Sequence, residues 1–414
     1  MAGSDLRGLS RLTVDGIAGL VDVVEAIHHN IASGPGMLGL PTAHPSRGIT
    51  GLVYWNIRTV IGLVGHGLDF LLARLTPLLG ETSTWQGREA ALAVLNGVLG
   101  DYLAATANPL AISMRLRRDG RPLVLEARAL AAAIPRPSGK LVVLAHGLCR
   151  NDLQWNRRGQ DHGAALARDL GYTPVYLHYN SGLHVSTNGR ELADRLESLV
   201  KAWPVPLTEL VLIGHSMGGL VCRSACHYGA LAGHSWRRQL RKLVLLGTPH
   251  HGAPLERGGN WVHLLLGRSP YVAPLARLGR IRSAGITDLR YGNLLDGDWE
   301  ERDRFEHSGD RRQAVPLPEG VLCYTMAATK RAGGLRSRLI GDGIVPLNSA
   351  LGLHADPTRA LSFPKSRRWI SRGLGHLDLL SQPEVYEQIK LWLGRADSVP
   401  ARRSASGRRP RPRR

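Results

Sequence analysis

The chain has few cysteines for its length, four in 414 residues. Cys149, Cys222, Cys226 and Cys323 fall at no metal-ligand spacing, and nothing in them demands a disulfide-forming compartment. They read as buried small apolar residues, with Cys222 and Cys226 on one face if their stretch is helical. A clean run of 18 apolar residues is also missing. The longest apolar stretch, residues 49–80, is broken by Arg58, His66, Asp69 and Arg74. That argues against a spanning helix and for an amphipathic one, packed on the main domain or lying on a membrane surface. The N-terminal residues lack the charged-then-apolar order of a secretory signal, because Asp5, Arg7, Arg11 and Asp15 interrupt them. A cytoplasmic location is therefore expected, with or without association at a membrane surface.

Acidic residues are short too: 33 against 53 lysines and arginines, for a net charge of +20. The last 14 residues, "ARRSASGRRPRPRR", hold seven arginines and no acid. Such a tail is expected to be disordered. It is either simply solvated or touches anionic lipid. No aromatic residues interleave with its arginines and no nucleic-acid motif occurs, so nucleic acid is not an expected partner. The adjacent pairs His28-His29 and His250-His251 make poor metal sites, because neighbouring side chains point different ways. No metal is expected.

What is present falls into three zones, without internal repeats. Residues 1–110 read as a helical extension, including a helix over 85–105. Residues 111–397 alternate strands with helices. "SMRLRRDGRPLVLEA" reads as a hairpin turning at Asp119-Gly120. Strands are expected over 140–147, 173–179, 240–249 and 320–329, and another runs into Gly214. Helices are expected over 162–171, 187–203, from the Ser216 turn to about 229, and over 383–394. This alternation predicts an α/β fold with a mostly parallel, doubly wound sheet. Residues 250–318 break the alternation, with Trp261, Tyr271, Tyr291 and Trp299 among glycines and prolines. They form either a cap over the site or a surface excursion. Residues 398–414 are the basic tail.

The chemistry centres on "LVLIGHSMGGLV", residues 210–221. A G-x-S-x-G match is weak by itself in a chain with 49 glycines. Here it follows a buried strand and opens a helix, as a nucleophile elbow does. Gly214 and Gly218 would leave room for the sharp turn. Ser216 is the candidate nucleophile, and the backbone N–H of Met217 would face the reacting centre. A serine needs a base, and the base needs an acid. On such an elbow the partners follow in the order Ser, Asp or Glu, His. "GDGIVP" (341–346) follows a late strand and supplies Asp342. "GLGHLDLL" (373–380) precedes the last helix and supplies His376. Asp378 is too close to His376 in sequence for the usual arrangement, and Asp356 is a more distant competitor. The second oxyanion donor is expected in "LAHGLCRND", at the N–H of Leu148. His146 in that turn reads as structural.

These motifs together resemble the α/β-hydrolase superfamily over about residues 112–396. "AHGL", "GHSMGG", "GTPHHGAP", "GDGIVP" and "GHLDLL" stand in lipase order. "GTPHHG" resembles a segment of bacterial lipases and of GPI-inositol-deacylase-like enzymes. "GDGIVP" resembles the acid motif of lecithin–cholesterol-acyltransferase-like lipases. The resemblance implies a serine hydrolase with Ser216, Asp342 and His376 as its triad and no cofactor. The expected substrate is a carboxylic ester or lipid with an apolar acyl chain. An acyltransferase, a thioesterase or an amidase would use similar chemistry, and a non-catalytic membrane- or partner-binding protein could share the fold. The intact order of the three residues argues against the last.

Overall fold

The computed structural model describes residues 4–5, 7–16, 59, 69, 86–253, 282–303, 309–330 and 341–395. The basic tail, most of the N-terminal extension up to residue 85 and the middle of the insertion, 254–281, lie outside the described residues. The chain divides into two compact units, one of residues 1–88 and 102–111, the other of residues 89–101 and 112–414. In the first, residues 7–16 are helical. Arg7 and Arg11 both grip Asp69, at 2.7 and 2.6 Å, and Asp5 pairs with Arg88 at 2.6 Å. The two guanidinium groups hold the Asp69 carboxyl far below the usual carboxylate range.

The second unit is built on eight strands: β1 (Arg115–Arg118), β2 (Arg121–Pro122), β3 (Lys140–Ala145), β4 (Thr173–His178), β5 (Glu209–His215), β6 (Leu240–Leu246), β7 (Leu322–Thr329) and β8 (Arg368–Arg372). They pair in the order β2-β1-β4-β3-β5-β6-β7-β8. Strands β3 to β8 run parallel, and β1 is antiparallel to both of its neighbours. The hairpin turns at Asp119 (φ 51°) and Gly120 (φ 73°), the two left-handed residues that a tight two-residue turn demands. Strands β3 to β7 are almost wholly buried because helices cover both faces.

Side chains alternate between those faces. Leu141, Val143, Leu210, Leu212, Leu243 and Leu245 join one core, and Val142, Leu144, Val211, Ile213, Val244 and Leu246 the other. From Gln86 onward the α-helices among the described residues are, in chain order, α1 (Gln86–Ala105), α2 (Ala127–Ala133), α3 (His162–Leu170), α4 (Val185–Lys201), α5 (Met217–Leu231), α6 (Ala284–Asp288), α7 (Leu347–Ala350) and α8 (Pro383–Gly394). α4 and α5 share the first core, α3 and α8 the second. Every strand and helix expected between 112 and 397 is present, within a few residues at the ends. α2, α6, α7 and β8 were not expected.

The described part of the insertion packs on the start of α4. Asp288 accepts from the Val185 N–H at 2.8 Å and faces His184 Nδ1 at 3.1 Å. The Trp299 indole stacks on His184 with ring centres 3.7 Å apart and donates to Ser186 Oγ. Residues 89–101 of α1 pack where β3 and β4 end. A side chain at Gly97 would strike Cys149 and one at Gly100 would strike Asn180. Ser283 Oγ donates to the Gly97 carbonyl at 2.6 Å.

Candidate active site

The carboxyl ends of the central parallel strands meet at one rim of the sheet, where the loops gather polar groups over the helix starts. Strand β5 ends at His215, and α5 begins at Met217. Ser216 between them has φ 54° and ψ −126°. A non-glycine residue in that region stores roughly 1–3 kcal/mol of strain. Its own N–H bonds to Leu246 O at 2.8 Å, and its carbonyl accepts from Gly219 N at 3.0 Å. The turn is tight enough to require its glycines. A Cβ at Gly214 would lie 2.7 Å from the Gly218 carbonyl carbon, and one at Gly218 would run into the Ala145 and His146 carbonyls.

Asp342 sits in a turn opened by Gly341 (φ 53°) and Gly343 (φ 98°). Its Oδ1 accepts from the N–H groups of Ile344 and Val345 at 2.9 and 2.8 Å. Its Oδ2 meets His376 Nδ1 at 2.6 Å, and its carbonyl accepts from the His376 N–H at 3.2 Å. Both residues are buried. With Nδ1 facing the carboxylate, His376 presents Nε2, which has no partner among the described residues. His376 lines the same cleft as Ser216, Gly147, Leu148, Ile344 and Leu377. The two competing acids are committed elsewhere. Asp378 accepts from Gly375 N at 3.0 Å, and Asp356 accepts from Thr358 Oγ1 at 2.7 Å.

Leu148 follows the turn after β3, where Cys149 adopts φ 57°. The N–H groups of Leu148 and Met217 meet no backbone acceptor among the described residues. Met217 is the first residue of α5, where the helix leaves its N–H groups unpaired and the dipole favours negative charge. His146 stacks on Tyr179 with ring centres 4.3 Å apart, and its Nδ1 donates to Gly147 O at 2.9 Å. Burial pushes its pKa down to about 3, so it is a neutral, packed imidazole, in keeping with a structural reading.

Three contributors escaped the sequence analysis. His215 donates from Nε2 to the His376 carbonyl at 3.1 Å, and burial holds it well below the usual histidine range. Its place in the motif could have drawn notice; its role could not. Gly247, at φ 56°, leaves room for the His376 ring, which a Cβ there would approach to 3.1 Å. Arg150 lines the cleft and has no signature in sequence. The pair His250-His251 binds arginines instead: Arg223 lies 3.2 Å from His250 Nδ1, and Arg312 lies 2.8 Å from His251 Nδ1. All four cysteines are buried free thiols. Among the described residues there is no cluster of metal-ligating side chains and no helix long and apolar enough to cross a membrane.

Residues 136–308 match the family model of the PGAP1-like alpha/beta domain. No curated protein matches the chain in sequence. Among solved structures the chain is similar to the mature form of a Bacillus licheniformis lipase, with 19% identity over 63% of this chain and 93% of that one and a TM-score of 0.38. It is similar to Staphylococcus hyicus lipase, with 13% identity over 62% and 96% and a TM-score of 0.35. It is also similar to a Pyrococcus furiosus esterase, with 13% identity over 62% and 81% and a TM-score of 0.36. The sheet order, the strand-to-helix elbow and the family match together are those of the α/β-hydrolase fold. The resemblance carried by the motifs is borne out at that level.

Proposed function

We propose that the protein is a serine hydrolase of carboxylic esters, working through Ser216, His376 and Asp342. The observation that carries this reading is the 2.6 Å Asp342–His376 pair, with His376 Nε2 left unpartnered in the cleft that Ser216 lines. In the reaction His376 takes the Ser216 proton as the hydroxyl attacks the ester carbonyl. The N–H groups of Leu148 and Met217 stabilise the oxyanion. His376 returns the proton to the leaving alcohol, and an acyl-enzyme remains. Water deprotonated by His376 then releases the acid. Asp342 holds the imidazole in one tautomer and stabilises its cation.

The test is hydrolysis of p-nitrophenyl esters of increasing chain length by wild type and Ser216→Ala. Wild-type turnover that falls by about 10³ or more in the variant is expected. An optimum at long chains would mark an apolar acyl substrate. Turnover that survives the substitution removes Ser216 from the mechanism.

Residues 250–318 fit the part of a cap in this reading. The N-terminal extension and the arginine-rich tail fit peripheral contact with an anionic membrane from the cytoplasmic side. Cosedimentation with anionic vesicles should weaken when residues 398–414 are removed. Unchanged binding would exclude the tail as the contact.

A further inference from the structure

Arg150 is a charged group in the cleft for which the ester reaction has no use. It lies two residues past the Leu148 N–H and lines the cleft together with Ser216 and His376. It also lines an adjoining hollow with His146, Gln154, Trp155 and His215. Its side chain is partly buried, and among the described residues it has neither an ion pair nor a hydrogen bond. The nearby carboxylates are spent on other partners. Asp152 binds His178 at 2.9 Å and Arg117 at 3.2 Å. Asp342 binds His376. Burial and the charge of Arg157 both disfavour the Arg150 cation. A cation at the cleft that no protein group pairs is left free to receive an anion from the substrate.

The adjoining hollow has room for about one oxygen atom, and its polar atoms suit a single oxygen of an anionic group that reaches in from the cleft. The buried Trp155 indole N–H has no acceptor. Gln154 accepts from Asn151 N through Oε1 at 3.3 Å, which leaves its NH₂ to donate. His146 and His215 each give their ring N–H to a carbonyl and offer an unpartnered nitrogen, Nε2 and Nδ1. Among its named lining residues there is no carboxylate. The Arg150 cation and the Trp155 and Gln154 donors suit an anionic oxygen, while the two ring nitrogens are acceptors and take no part in holding it.

We propose that Arg150 is a specificity residue that binds an anionic oxygen group of the substrate, a carboxylate or a phosphate, beside the scissile ester. This deepens the ester-hydrolase reading and rests on it. Matched substrates separate the two sources of charge. One arm compares p-nitrophenyl hydrogen glutarate with p-nitrophenyl butyrate, and the other an acylglycerol phosphate with the same acylglycerol. Wild type should favour the anionic member of one pair by about tenfold or more in kcat/KM, the scale of a charge-assisted contact. Arg150→Gln should bring that ratio close to one, and Arg150→Lys should keep part of it. Ratios near one in both arms, or a preference that survives Arg150→Gln, overturn the proposal.

A titration with inorganic phosphate and with acetate, followed by calorimetry, needs no turnover. At least one ion should bind wild type and bind Arg150→Gln about tenfold more weakly. Equal binding to both proteins, or none to either, overturns the proposal. If no ester is hydrolysed, or hydrolysis survives Ser216→Ala, the serine reading fails, and the titration still decides the role of Arg150.

Discussion

Asp342 is held by three N–H contacts besides the histidine ring: Ile344 and Val345 at its Oδ1 and the His376 N–H at its carbonyl. That clamp lets Asp342→Asn keep the loop in place while changing one atom. The amide should continue to accept from Ile344 and Val345 and would turn its NH₂ toward His376 Nδ1. The ring proton then moves to Nε2, the nitrogen that must receive the Ser216 proton. In this mechanism kcat should fall by about 10³–10⁴, with KM and the melting temperature little changed. Steady-state kinetics and a thermal melt check this, and a fall of under about tenfold would assign the acid elsewhere. These positions were legible because chain order and flanking strands restrict them. Asp356 and Asp378 carry the same chemical group, and only their local hydrogen bonds separate them from Asp342. His215 and Arg150 were illegible for a related reason. Spacing does not tell which buried polar group reaches a cleft built from distant loops.

At the scale of elements, strands announced themselves where both faces are covered. Runs such as Leu141 to Ala145 and Leu243 to Leu246 are apolar throughout because no side of the strand meets water. β8, "RWISR", is an edge strand with one buried residue, Ser371, among half-buried and exposed ones, so its composition resembles a loop. α1 was legible as a helix, but periodicity names no partner. Residues 89–101 belong with the sheet unit, and Gly97 lies against the loop that carries the Leu148 N–H. A Cβ there would sit 2.8 Å from Cys149 Cα and 2.9 Å from its N, too close for a backbone that cannot swing aside. Gly97→Ala should therefore cost about 1–3 kcal/mol of stability. It should also lower kcat, because Cys149 cannot move without its neighbour Leu148. Urea unfolding and ester kinetics on the same variant separate the two effects. Lost stability with full kcat would show that the helix supports the fold and not the oxyanion loop.

For the sheet unit as a whole, the same burial that shapes the site fixes a dependence on pH. Desolvation lowers the pKa of His146 to about 3 and of His251 to about 4, and holds His162, His215 and His250 below their ordinary value. An unfolded chain takes up these protons near pH 6.5, and the folded chain refuses them. The stability linked to these groups is therefore fully present above about pH 6.5 and is lost as the pH falls toward the folded values. Each imidazole contributes a slope of about 1.4 kcal/mol per pH unit within that window. Unfolding by urea at pH 7, 6 and 5 should show the folded state weakening steadily, and His146→Gln should remove about one proton from the slope. A flat profile between pH 7 and 5 would mean that the fold accommodates these histidines as cations. Activity that fades at pH 5 in step with the unfolding midpoint belongs to these buried imidazoles, and a loss at pH values where the protein stays fully folded would show that they do not set it.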